Sequence, residues 1–117
     1  MPSPRRVEKL EHLIREELAR FLERAIEFPD DTLVTVTRVI VSPDAHYAFA
    51  MITTLPEHKQ KSALEILKKN IYHIQQAINR ALRTRPVPKI TFRIDQDEER
   101  RERVEASLAQ LKKTSQV

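Results

Sequence analysis

Lys69, Tyr72, Gln76, Arg80 and Arg83 follow one another at steps of three, four, four and three residues, the spacing that brings side chains to one face of a helix. Lysine and arginine on such a face neutralise phosphates, arginine through a planar fork. Glutamine adds uncharged hydrogen bonds, and a tyrosine ring can stack a base. Lys61 and Lys68 border this face, and Arg85, Lys89 and Arg93 carry the charge into the chain beyond it. From Lys59 to Arg93 nine basic residues meet one acid, Glu65, a local balance of +8 in a chain whose total is +4. Such asymmetry implies one polyanion-facing surface on an otherwise mixed-charge protein. The competing reading is the wet side of an ordinary amphipathic helix, and the scarcity of acids counts against it.

Catalytic chemistry has little to stand on. His12, His46, His58 and His73 show neither HExxH spacing nor a serine and carboxylate placed for a nucleophile relay. His12 lies four residues from both Glu8 and Glu16 and reads as a solvated helix pair rather than a metal site. Asp95, Asp97, Glu98 and Glu99 read as charge at a helix N-terminus rather than a magnesium cluster. With no cysteine, thiolate ligands and cysteine nucleophiles are excluded, and with no glycine, so are the phosphate-cradling loops that depend on it. Left-handed turn positions must then be strained or fall to Asn or Asp. The expectation is no catalytic residue, no metal, no cofactor and no small-molecule substrate.

The elements that must position the basic face are legible from periodicity. At 117 residues and 13.7 kDa the chain is expected to form a single domain sharing one core. Ser3-Pro4 reads as the start of a helix that ends near Phe28. Leu33 to Val41, rich in β-branched residues, reads as a strand, and Ser42-Pro43-Asp44 as the turn into a second strand, Ala45 to Thr54. On that second strand Tyr47, Phe49 and Met51 alternate with Ala48, Ala50 and Ile52, and both faces read as largely covered. A base-stacking sheet of the RNA-recognition-motif kind is therefore not expected.

Thr54-Leu55-Pro56-Glu57 has capping-box spacing. Beyond it Leu64, Leu67, Ile71, Ile74, Ile78 and Leu82 mark a helical stripe lasting to about Arg83. Ile66 lies far outside that stripe, which favours a break near its middle. Val87 to Asp95 alternates as a third strand, parallel to the second if the two are adjacent. The expected class is α+β, in the order α-β-β-α-α-β, with helices on a three-stranded sheet. The ordered core is expected over about 3–95, an additional C-terminal helix over about 97–112, and a frayed tail at 113–117. No apolar stretch is long enough for a membrane helix and the N-terminus lacks a signal-peptide core, so a cytoplasmic protein is expected.

From about Ser3 to Gln110 the chain resembles the bacterial ribosome-binding factor A family. The resemblance rests on Arg5-Arg6-Val7, on Val36-Thr37-Arg38-Val39-Ile40-Val41-Ser42-Pro43-Asp44, on the Ala48-containing strand, and on Arg85-Pro86-Val87-Pro88-Lys89-Ile90-Thr91-Phe92-Arg93-Ile94-Asp95. It implies a type II KH-like fold and a non-catalytic assembly factor. Such a factor binds free small ribosomal subunits (30S) near the decoding region, assists late folding and processing of their 16S rRNA, and leaves before translation, with most effect in the cold. The family carries an Ala-x-Gly helix kink where this chain has Asn70-Ile71-Tyr72. The expected RNA contacts are Arg80, Arg83, Arg85 and Lys89, then Lys68, Lys69, Arg93 and the familial Arg5 and Arg6, with Tyr72 and Gln76 on the same face. The free protein is expected to be a monomer. A general RNA chaperone, or a protein-interaction module without nucleic-acid binding, are the alternatives.

Overall fold

The computed structural model describes residues 2–97. Ser3 accepts a hydrogen bond at Oγ from the Arg6 amide (3.3 Å), and Pro4 opens helix α1, Pro4–Ala25. Ile14, Leu18 and Leu22, one turn apart, form its buried stripe. The helix ends before Phe28 because Ile26 turns to extended backbone, so that Ile26 and Phe28 fold back against the core.

Strands β1, Leu33–Val41, and β2, Tyr47–Leu55, pair antiparallel, and β3, Lys89–Ile94, lies parallel to β2, giving the order β1-β2-β3. A bulge at Thr37 shifts the alternation of β1: Val36 is buried before it, Val39 and Val41 after it. Arg38 and Ile40 are thereby turned to the opposite face. Ala48, Ala50 and Ile52 of β2 and Ile90 and Phe92 of β3 complete the inner face, where the alanines let helices approach closely.

The β1–β2 turn contains the one positive φ among the described residues, at Ala45 (62°). Neither Asn nor Asp takes that position. Asp44 instead orders the turn, its Oδ1 accepting from Ser42 Oγ (2.6 Å) and the His46 amide (3.0 Å).

After β2, a 3-10 turn at Glu57–Lys59 leads into α2, Gln60–Lys69, then α3, Ile71–Ala81. Thr54 is not the expected helix cap. It is the last buried residue of β2, and its hydroxyl donates to the carbonyls of Pro56 and Glu57. The helix breaks at Asn70 (φ −102°, ψ 7°), whose side-chain amide donates to the Ile66 carbonyl at 2.8 Å. Asn70 thus makes the bend at ordinary negative φ. The break lets Leu67 of α2 and Ile74 and Ile78 of α3 all reach one core.

Side chains from the helices close the sheet's margins. Glu11 Oε2 accepts from the Val41 amide (2.8 Å). Gln75 accepts from the Ile90 amide (2.8 Å) and donates to the Pro88 carbonyl (3.0 Å), occupying hydrogen-bonding groups of the β3 edge. Helices α1, α2 and α3 contribute buried residues to one core on the inner face of the sheet. Gln96 and Asp97 have helical backbone. The rest of the C-terminal helix expected over 97–112, and the tail at 113–117, lie outside the described residues.

Candidate nucleic-acid interface

Helices α1 and α3 lie side by side, and the crevice between them gathers arginines from distant parts of the chain. At one end a cavity of about 250 Å³ is lined by Arg20 and Arg24 of α1 and by Arg80 of α3, with Phe21 and Ala77 among its walls. Toward the β1–β2 turn it is followed by a groove of about 970 Å³, whose rim carries Arg6, Lys9, Arg83 and Arg85 and whose walls include Leu10 and Leu13. Seven cations thus line the two cavities together with two acids, Glu17 and Asp44. Glu17 is bound to Arg20 at 2.6 Å. The Asp44 carboxyl is held below its ordinary value, chiefly by the Ser42 hydroxyl and then by the His46 amide. The apolar walls exclude water from one side, which strengthens attraction to an anion lying in the groove.

The expected cationic contacts fall in three places. Arg6, Arg80, Arg83 and Arg85 meet in the crevice, and Arg5 stands exposed beside it on the first turn of α1. Arg85 turns its fork inward, donating to the carbonyls of Leu82 (2.8 Å), Thr84 (2.9 Å) and Asn79 (3.1 Å), so it caps the end of α3 while leaving its charge at the rim. Lys68 and Lys69 are exposed on the last turn of α2. Lys89 and Arg93 lie on the outer face of the sheet, with the Arg93 guanidinium 4.1 Å above the Phe49 ring.

The single helical face expected from Lys69 to Arg83 is therefore shortened to Tyr72, Gln76 and Arg80. The Asn70 break takes Lys69 onto α2, and Leu82 turns to extended backbone (ψ 140°), taking Arg83 off the helix. Tyr72 is exposed, with its ring edge-on to His73 at 5.7 Å, and Gln76 is half-buried. His12 pairs with Glu16 at 2.9 Å as a solvated helix pair. Asp95 stands directly before the helical backbone of Gln96 and Asp97. It is buried, bound by Thr37 and Arg38.

Lys9, Arg20 and Arg24 are not among the expected contacts, because α1 interleaves its cations with glutamates and a local charge tally cancels. The signal that could find them is spacing: Arg6, Lys9, Leu13, Glu17, Arg20 and Arg24 recur at steps of three and four. The reading of both β2 faces as covered is also corrected. On its outer face Phe49, Met51 and Thr53 are half-buried while Tyr47 is 51% and Leu55 67% exposed, because the helices pack on the other side of the sheet.

An α-β-β-α-α-β chain whose three strands run β1-β2-β3 under helices broken at Asn70 is a type II KH-like domain. The chain belongs to the ribosome-binding factor A family, whose model matches residues 6–108. It is 33% identical to the ribosome-binding factor A of Thermomicrobium roseum, over 99% of this chain and 90% of that one. It is 34% identical to that of Bdellovibrio bacteriovorus, over 95% and 84%. Among solved structures it is similar to the crystal structure of ribosome-binding factor A from Thermus thermophilus (TM-score 0.67, 26% identity, covering 75% of this chain and 93% of that one). A Thermus thermophilus homology model fitted into a cryo-EM map of a complex of that factor with 30S is similar too (TM-score 0.63, 27% identity, covering 73% and 90%).

Proposed function

We propose that this protein is a non-catalytic maturation factor of the small ribosomal subunit, binding free 30S particles and assisting late folding and processing of their 16S rRNA. The observation that carries this reading is the α1–α3 crevice, where Arg6, Lys9, Arg20, Arg24, Arg80, Arg83 and Arg85 converge over apolar walls. Membership of a family named for ribosome binding supports it. The crevice offers charge and shape rather than a reactive constellation, so its affinity comes from phosphate neutralisation. It assists folding by binding one conformation of the subunit more tightly than another, without a covalent step. A monomeric cytoplasmic protein needing no cofactor, acting most in the cold, fits this role.

The test is co-sedimentation with small subunits, large subunits and joined ribosomes across a salt series. The expected result is retention on free small subunits that falls with salt at a slope of several phosphate contacts. Arg80→Glu with Arg83→Glu weakens that retention while the circular-dichroism melt stays intact. Equal binding to every RNA, or none at low salt, overturns the reading.

A further inference from the structure

The crevice leaves unused the outer face of the sheet. Along β2 it presents Tyr47, Phe49 and Met51, with Ile40 beside Phe49 on β1, and Lys89 and Arg93 on β3 beside Tyr47 and Met51. Tyr47 is half exposed. Arg93 lies over Phe49, its guanidinium carbon 4.1 Å from the ring centroid, a cation–π contact that holds the charge on this face. Tyr47 and Phe49 are two residues apart on one strand, about 6.6 Å, which sets two planar surfaces side by side at a pitch suited to successive unpaired bases.

The charges on this face point the same way. Lys89 and Arg93 stand exposed on the edge strand, while Asp97 is held by Arg38 at 3.1 Å. Thr35, Thr53 and Thr91 are outward-facing hydroxyls, able to bond sugars or base edges.

We propose that the outer sheet face is a second RNA site, taking a single-stranded segment whose bases stack on Tyr47 and on the Phe49-supported Arg93 while Lys89 meets its phosphates. Double-stranded RNA cannot use it, because its bases are already stacked and paired. The proposal rests on the reading of the protein as an RNA-binding factor and adds an unpaired segment to what it holds.

The full chain supplies its own probe, since it has no tryptophan and two tyrosines. In the Tyr72→Phe variant Tyr47 alone emits. A short labelled oligouridylate, followed by anisotropy, is expected to quench that emission saturably, and an RNA duplex of the same length is expected not to. Tyr47→Ala and Arg93→Ala, each made in the unmodified chain, weaken oligouridylate binding by about fivefold or more.

Oligouridylate that binds without quenching Tyr47, or fails to bind while small-subunit retention persists, overturns the sheet site and leaves the crevice reading standing. Loss of small-subunit retention from the unmodified protein as well overturns both. Quenching that appears only when the chain is cut after Asp97 means that residues 98–117 take this face, which also overturns the proposal. So does a dimer that Tyr47→Ala dissociates.

Discussion

Arg38 Nε lies 3.2 Å from the carboxylate of Asp95, a group the fold encloses almost completely although the two residues are 57 apart in the chain. Arg38 itself is half exposed and also reaches Asp97 at 3.1 Å. The bulge at Thr37 makes this possible, since it turns Arg38 to the outer face and directs the Thr37 hydroxyl onto the same carboxylate. The pair ties the end of β3 to β1 across the central strand.

Removing the cation alone takes the Arg38 counter-charge away from a buried carboxylate. Arg38→Met is expected to cost about 2–3 kcal/mol, reduced from the fully buried case because water reaches the arginine. Adding Asp95→Asn to Arg38→Met recovers part of that loss, because the neutral amide no longer needs a counter-charge. Urea denaturation of the two single variants and the double variant measures the coupling.

Gln75 is the second tie across the fold. Gln75→Ala leaves the Ile90 amide and the Pro88 carbonyl without the partners they have now, an expected loss of about 1–3 kcal/mol. Hydrogen exchange at the Ile90 amide is expected to accelerate more than exchange at the inner Ile52 amide. Equal acceleration at both sites would mean global destabilisation instead.

The turn at Asp44 sets a pH dependence. Its carboxyl titrates below the ordinary value of 3.8, first because Ser42 donates to it, then because the His46 amide does. The sign follows from linkage: a depressed folded-state value contributes stability that is present above the unfolded value and lost as pH falls through the folded one. Carboxyl-carbon NMR is expected to place Asp44 below 3.8 and to show Ser42→Ala returning it toward that value. Asp44→Asn is expected to flatten the acid end of the stability profile.

The cations of α1 belong to the same surface as those beyond α3. Lys9→Ala and Arg24→Ala are each expected to lower the salt slope of small-subunit binding by about one unit. An unchanged slope for both would confine the interface to the segment after Asn70.

Local pattern made most of the fold legible. The Ser3-Pro4 start, the β-branched run Leu33–Val41, the alternation of Ile90, Phe92 and Ile94, and the misfit of Ile66 each answer to a short-range rule of capping, pleat or helical pitch. The misfit of Ile66 pointed to a break near the middle of the segment, because a straight helix cannot bring residues on both sides of Asn70 to one core. The site was legible in part. Arg80, Arg83 and Arg85 stand in a segment nearly free of acids, whereas Lys9, Arg20 and Arg24 are masked by glutamates that neighbour them in the chain.

By itself, the sequence determined the element order, the inner face of each helix and the excess of positive charge, since these depend on neighbours within a turn or two of chain. Tertiary structure alone decided which cations meet. Packing α1 beside α3 joined Arg6 to Arg83, the Thr37 bulge turned Arg38 and Ile40 to the outer face, and one-sided helix packing left that face, with Lys89 and Arg93 on it, uncovered. The reason is physical: a charge tally follows the chain, but an electrostatic surface sums charges through space, and a single bulged residue reverses the facing of all that follow it in a strand.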